Sequence, residues 1–150
     1  MNLLGEFECK VDAKGRVLFP AGLKKQIPEK EGEGFVVNRG LEPCLVLYTE
    51  KTWGKITKDL SKLNRFDPKN QRFVRQFFNG AKKIELDNSS RILIPKKLLD
   101  YASIKKEIVL FAHMDRVEIW SKVLYEKVLD IKPEEFAQLA ETVVGNTSKQ

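Results

Sequence analysis

The chain has little of what enzymes, metalloproteins and membrane proteins use. There is one histidine in 150 residues, His113, so a histidine-based proton relay has no second member and a His-rich metal site is excluded. His113 reads as a plain residue of a turn between strands. The two cysteines, Cys9 and Cys44, sit in separate apolar runs and form no C-x-x-C pair. They read as buried free thiols of a reducing compartment, with neither a disulfide nor a metal site expected. No apolar run approaches the roughly 18 residues of a membrane span. The opening Met1-Asn2-Leu3-Leu4-Gly5-Glu6 lacks the basic start and apolar stretch of a signal peptide, so a cytoplasmic protein is expected. Walker, G-x-G-x-x-G and G-x-S-x-G patterns are missing, and Gly32-x-Gly34 is too short to stand for one. Glu8-Cys9-Lys10 has the E-x-K spacing of some metal nucleases, but almost no chain precedes it to supply the upstream carboxylate. The expectation is a non-enzyme without metal, cofactor, membrane or small-molecule substrate.

What is present is a core and an excess of positive charge. Hydrophobic residues make up 42% and include nine Phe, enough to bury a core in two small modules or one ordinary domain. Lys and Arg number 27 against 21 Asp and Glu, a net charge of +6. Such a balance favours polyanionic partners, among them DNA, RNA and anionic membrane surfaces, although many basic proteins bind none.

The chain also says one thing twice. Val11-Asp12-Ala13-Lys14-Gly15-Arg16-Val17-Leu18-Phe19-Pro20 returns 75 residues later as Leu86-Asp87-Asn88-Ser89-Ser90-Arg91-Ile92-Leu93-Ile94-Pro95. Asp, Arg and Pro recur in register. A second echo sets Val36-Val37 and Leu45-Val46-Leu47-Tyr48 against Ile108-Val109 and Val117-Glu118-Ile119-Trp120, at an offset of 72. Two copies of one unit predict a pseudo-twofold protomer that carries each surface feature twice, which suits a repetitive partner.

Local signals predict short strands alternating with helices. Leu3–Val11 and Arg16–Phe19 read as strands around a tight turn at Asp12-Ala13-Lys14-Gly15, and Pro20 opens a short helix through Ile27. Phe35–Asn38 and Cys44–Tyr48 are further strands. Thr49 caps a helix whose apolar face is Trp53, Ile56, Leu60 and Leu63. Asp67-Pro68 starts another, in which Phe73, Val74, Phe77 and Phe78 form two i,i+4 pairs, with Arg72 and Arg75 on its wet side and Asn79-Gly80 at its end. The second copy repeats the plan with strands near Ala81–Leu86, Arg91–Ile94, Ile108–Phe111 and Val117–Trp120. Ser121 caps a helix carrying Leu124, Tyr125, Val128 and Leu129. A last helix from Pro133 stops at Gly145, leaving a frayed tail from Asn146. Trp53 and Trp120 read as core. The expected organisation is a first unit over residues 1–50, a helical connector over 51–79, a second unit over 80–125, and a C-terminal helix and tail over 126–150.

The chemistry is expected at the two turns. Each places an Asp and, four residues on, an Arg across a hairpin tip. A turn arginine can donate bidentately to a phosphate or to a guanine edge in the major groove. Its Asp can hold the guanidinium in one rotamer beforehand. Lys10, Lys14, Lys82 and Lys83 add charge for phosphates, and Gly15 shapes the first tip. The plainer alternative is a structural Asp–Arg pair closing a turn, since such surface pairs are common and weak. Lys24-Lys25, Lys96-Lys97 and Lys105-Lys106 read as solvated faces.

These residues carry a resemblance. The two turns and their flanks resemble the SpoVT/AbrB swapped-hairpin DNA-binding motif in tandem, and the whole chain is similar to the MraZ family of bacterial transcriptional regulators. The match runs through Asp12–Arg16 with Pro20, Pro43–Tyr48 leading to Trp53, Gln71–Arg75 through Gly80 to Asp87–Arg91, and Val117–Trp120. It covers residues 1–130. It implies an α+β, mainly β, swapped-hairpin barrel. It also implies a nucleoid-associated regulator, expected here as a repressor, that binds short direct repeats of double-stranded DNA upstream of the division and cell wall gene cluster as a ring homo-oligomer. Arg16 is then the first DNA ligand, with Lys14 on phosphate or base and Asp12 bracing the arginine. Asp87 and Arg91 repeat those roles. The family has Gly before the second Arg where this chain has Ser90, which puts the shape of that turn in doubt. Two rivals remain: a ring-forming scaffold or antitoxin-like module that holds protein with the same turns, and a metal-dependent nuclease.

Overall fold

The computed structural model describes the backbone of residues 1–148 and the side chains of residues 1–145. In chain order the first copy contributes β1 (Leu3–Lys10), β2 (Arg16–Leu18), α1 (Ala21–Lys24), β3 (Gly34–Arg39) and β4 (Leu45–Thr49), then the helices α2 (Glu50–Leu60) and α3 (Pro68–Asn79). The second copy contributes β5 (Lys82–Glu85), β6 (Arg91–Leu93), α4 (Lys96–Tyr101), β7 (Glu107–Met114) and β8 (Arg116–Ser121), then α5 (Lys122–Leu129) and α6 (Pro133–Ser148).

The two copies interlock. Six strands form one antiparallel sheet in the order β1-β7-β8-β4-β3-β5. Each copy thus lends its first strand to the edge of the other copy's hairpin: β1 lies on β7, and β5 lies on β3. The order reads the same from both ends, with the pseudo-twofold between β4 and β8, where Val46 faces Glu118. The short second strands β2 and β6 make a separate antiparallel ribbon centred on Val17 opposite Ile92. Val17 and Ile92 are fully buried and join Val37, Leu45, Leu110 and Ile119 in one core. Period-two alternation explains the ribbon: the middle residue of each strand points inward and its neighbours point out. The fold is α+β and mainly β, with tandem copies whose hairpins are exchanged.

The pairing corrects one alignment. Phe35, which pairs with Ile84 and Thr49, holds the place of Ile108, which pairs with Cys9 and Ser121. Phe35-Val36, and not Val36-Val37, is therefore the counterpart of Ile108-Val109, because the β7–β8 hairpin closes over fewer residues than β3–β4. His113 also differs from expectation. It belongs to β7, stacks on Phe111 with ring centroids 4.6 Å apart, and meets Glu118 Oε2 at 3.1 Å. The turn lies beyond it, at Asp115.

Caps fall largely where expected. Thr49, Asp67 and Ser121 accept from the backbone N–H groups of Thr52, Lys69 and Leu124. α1 is shorter than expected: it ends at Lys24 after a single turn, and hydrogen-bonded turns carry the chain to Ile27. Gly80 ends α3 in a right-handed conformation, so its role is space. A Cβ there would stand 2.6 Å from Arg39 Cγ. Asn38 and Arg39 donate to the Phe77 and Gln76 carbonyls and so cap α3 from β3. Trp120 is buried as expected, whereas Trp53 is half-buried in an aromatic cluster with Tyr48, Phe77 and Phe78. α6 runs through Gly145 to Ser148, so the expected stop is absent; Lys149 and Gln150 of the expected tail lie outside the described residues.

Candidate nucleic-acid interface

The two Asp–Arg turns sit at opposite ends of the short β2–β6 ribbon, and each is built from its own aspartate. Asp12 Oδ1 accepts from the backbone N–H groups of Lys14 and Arg16, each at 2.9 Å. The Asp12 N–H donates to the Arg16 carbonyl at 3.0 Å, and the Gly15 N–H to the Asp12 carbonyl at 3.0 Å. This is the side-chain mimicry of a backbone turn that favours Asp at such positions. The second turn repeats every bond. Asp87 Oδ1 accepts from Ser89 at 2.8 Å and Arg91 at 2.9 Å, and the backbone pairs Asp87–Arg91 and Ser90–Asp87 stand at 2.8 and 3.0 Å.

The doubt over Ser90 resolves here. Gly15 has φ +89° and Ser90 has φ +59°, so both turns pass through positive φ at the same place and close alike. Serine takes up the left-handed conformation at a cost that glycine avoids. Gly15 is more tightly required, because a Cβ on it would meet the Ile94 carbonyl oxygen at 2.8 Å.

The turns are also tied to each other. The Ile94 N–H donates to the Gly15 carbonyl, and the Phe19 N–H to the Ser90 carbonyl, both at 2.9 Å. These reciprocal bonds hold each tip against the strand of the other copy. They are invisible in a reading of each repeat alone; the signal was the exchanged pairing.

The side chains differ. Arg16 Nε donates to Asp12 Oδ2 at 2.8 Å, with 42% of the Arg16 side chain exposed. The guanidinium is therefore held by one edge while the other faces solvent. Arg91 has no ion-pair partner among the described residues, so Asp87 organises the Arg91 backbone without gripping its guanidinium. Both carboxyls are held below the usual carboxylate range. For Asp12 the main cause is the backbone N–H of Arg16, with further help from its side chain and from Lys14. For Asp87 it is the backbone N–H of Arg91, then Ser89 and the charges of Arg91 and Arg16. That Arg16 acts on Asp87 places the two tips within one electrostatic surface.

Lys14 is exposed at the first tip, and Lys10 is exposed at the end of β1, two residues before Asp12. Lys83 is exposed on β5, opposite Val36 on the far edge strand. Lys10 lies beside Leu18, Ser89 and Ser90, whereas Lys83 alternates with the core residue Ile84 and so sits on the sheet face away from the ribbon, apart from the turns. Two outward residues of the ribbon were not foreseen as part of this face: Leu18 and Leu93, 56% and 55% exposed. The alternation Arg-buried-Leu in each short strand carries that signal. Among the described residues no group of three or more His, Cys, Asp or Glu is placed to hold a metal ion, and no helix is long and apolar enough to cross a membrane. Both cysteines are free, and burial pushes the Cys44 thiol up to about 12.

The family model described as MraZ protein, antitoxin-like, matches twice, over residues 3–76 and 77–147. A protein of Christiangramia forsetii named Transcriptional regulator MraZ is 47% identical over 97% of this chain and 95% of its own length. Proteins of the same name from Flavobacterium psychrophilum and Cytophaga hutchinsonii are 46% and 43% identical, covering 98% and 97% of this chain and 94% and 97% of their own. Among solved structures, the solution structure of PHS018 from Pyrococcus horikoshii covers 77% of this chain and 97% of its own at 22% identity, with a TM-score of 0.33 that is too low to bear on the fold. Interlocked tandem hairpins with basic turn tips define a class, that of tandem swapped-hairpin proteins. Within it, the chain belongs to the MraZ family.

Proposed function

We propose that this chain regulates transcription by binding double-stranded DNA through the β2–β6 ribbon and its two turns. The observation that carries the reading is Arg16, braced on Asp12 at the tip of a rigid turn and facing solvent. A two-stranded ribbon fits the width of the major groove, and an arginine fixed in advance loses little rotamer freedom on contact. Lys10 and Lys14 supply sequence-independent, salt-sensitive affinity, while Arg16 and, to a lesser degree, Arg91 supply base preference.

The DNA target of this reading is a set of short direct repeats upstream of the division and cell wall gene cluster, where binding represses. Copies arranged head to tail in a ring present the same turn in the same sense, whereas a twofold dimer reads palindromes. Repeats about one helical turn apart then meet successive subunits, and each weak contact gains from its tether to the next. Support for self-association comes from an open apolar groove between α2 and α3, lined by Leu60, Leu63, Val74 and Phe78, and from the exposed Phe136 and Leu139 of α6. A protein of this kind works in the cytoplasm at the nucleoid. Footprinting of the purified chain on its own upstream DNA tests the whole reading. Protection of evenly spaced direct repeats, weakening with salt, is expected. A chain that leaves that DNA unprotected, while holding a protein partner through the turns, is instead the scaffold or antitoxin-like module.

A further inference from the structure

The outer face of the ribbon is half apolar. Arg16 stands opposite Leu93, and Leu18 opposite Arg91, so two arginines and two leucines alternate diagonally on one small surface. A lone exposed leucine needs no explanation. Here the same outward leucine recurs at both pseudo-twofold positions, each directly across from the turn arginine of the other copy. Water gains nothing from leucine at these sites. The buried side of the ribbon does not use them either, since Val17 and Ile92 fill it completely. Gly15 adds a second observation: the point where its Cβ would stand lies 3.7 Å from Leu93 Cδ1, so Leu93 rests against the first turn and shares its approach to any partner.

We infer that Leu18 and Leu93 are specificity residues that pack on thymine 5-methyl groups in the major groove beside the bases or phosphates met by Arg16 and Arg91. The inference rests on the DNA-binding reading above. The surrounding charge selects the occupant: around the leucines stand the cations Lys14, Arg16 and Arg91 and the carboxylates Asp12 and Asp87, both tied to their own turns, and the charged setting with its cationic excess suits a polyanion and not an apolar protein surface. Within duplex DNA, the apolar group displayed to a major-groove reader is the thymine methyl. Arginine opposite leucine then reads a mixed step, with a hydrogen-bonding edge next to a methyl.

The test uses the full-length chain and a duplex from its own upstream region, prepared once with thymine and once with uracil in its place. Uracil keeps the base pairing and removes only the methyl. Fluorescence anisotropy at matched salt should show tighter binding to the thymine duplex, by about fourfold for each methyl contacted. Leu18→Ala and Leu93→Ala should each shrink that ratio, and the double variant should bring it to unity, while Leu18→Met keeps most of it. Both leucines are exposed, so circular dichroism should find the fold unchanged. Equal affinity of the wild type for both duplexes overturns the inference and leaves DNA binding intact; absence of binding to either duplex is the separate failure of the underlying reading. If the leucines instead contact another copy of the chain, sedimentation shifts in the double variant and the thymine-to-uracil ratio does not, which also overturns it.

Discussion

The first and second turns are the same structure with different finish. Every backbone bond of Asp12–Arg16 recurs in Asp87–Arg91 within about 0.2 Å. What differs is the glycine at position 15 against the serine at 90, and an arginine held by its aspartate against one that is not. Backbone geometry is therefore set by the aspartate and the exchanged strands, not by the residue at positive φ. Side-chain readiness is set separately. A pseudo-twofold protomer of this sort has one tip prepared for contact and one that must order its arginine on arrival, and ordering a long side chain costs about 1–2 kcal/mol.

Arginine removal is the sharpest way to break the comparison. Arg16→Ala should weaken binding to upstream DNA by about 30-fold per engaged subunit, corresponding to about 2 kcal/mol for a lost bidentate contact. Arg91→Ala should cost clearly less. Titrations of the two variants at one salt concentration decide this, and equal losses would erase the proposed difference between the tips. Next is Gly15→Ala, which forces a side chain into positive φ against the Ile94 carbonyl. It should lower stability by about 2 kcal/mol in urea unfolding, with DNA affinity reduced in parallel.

The aspartates give a smaller and pH-dependent effect. Both carboxyls are depressed in the folded state, so below about pH 4 the unfolded chain takes up protons that the native turns resist. Their contribution is present at neutral pH and is lost as pH falls through the native values. Urea unfolding from about pH 6 to pH 2 should show the gap between wild type and the Asp12→Asn, Asp87→Asn double variant closing toward the acid end. A gap that stays constant with pH would remove the carboxylates from the account. At neutral pH, Asp12→Asn should weaken DNA binding several-fold more than Asp87→Asn, because only Asp12 grips a guanidinium. The smallest effect is Ser90→Gly. Relief of the left-handed serine is partly offset by the greater freedom of glycine in the unfolded chain, leaving a gain under about 1 kcal/mol and no change in DNA affinity.

Much of this was legible in the residues. The repeat located both turns, and Thr49, Asp67 and Ser121 marked helix starts through their capping chemistry, whereas the ribbon of β2 on β6 appears only in the pairing. The exchange of strands was not legible from either copy's pattern, because β1 reads the same whether it pairs within its own repeat or across; only the family resemblance pointed to it. The slip of one residue at Phe35 arose in the same way: neighbouring apolar residues in a strand buried on both faces give no period to fix the register. Gly145 misled because a glycine near the end of a helical pattern signals a stop only when the backbone turns left-handed there. His113 was placed in a turn because β7 extends past its apolar run to Met114. At the site itself, the sequence pointed to the charged residues and passed over Leu18 and Leu93, since outward leucines look like core until the pairing is known.

The central claim is that a turn arginine, braced before contact, carries DNA recognition. The direct measurement is an anisotropy titration of wild type and Arg16→Ala on the upstream duplex, with folding and assembly verified by circular dichroism and sedimentation. The account predicts an intact, assembled variant whose affinity for that duplex falls by about 30-fold per engaged subunit, more than for any other single substitution in the turns. An intact variant that binds the duplex as tightly as wild type contradicts it.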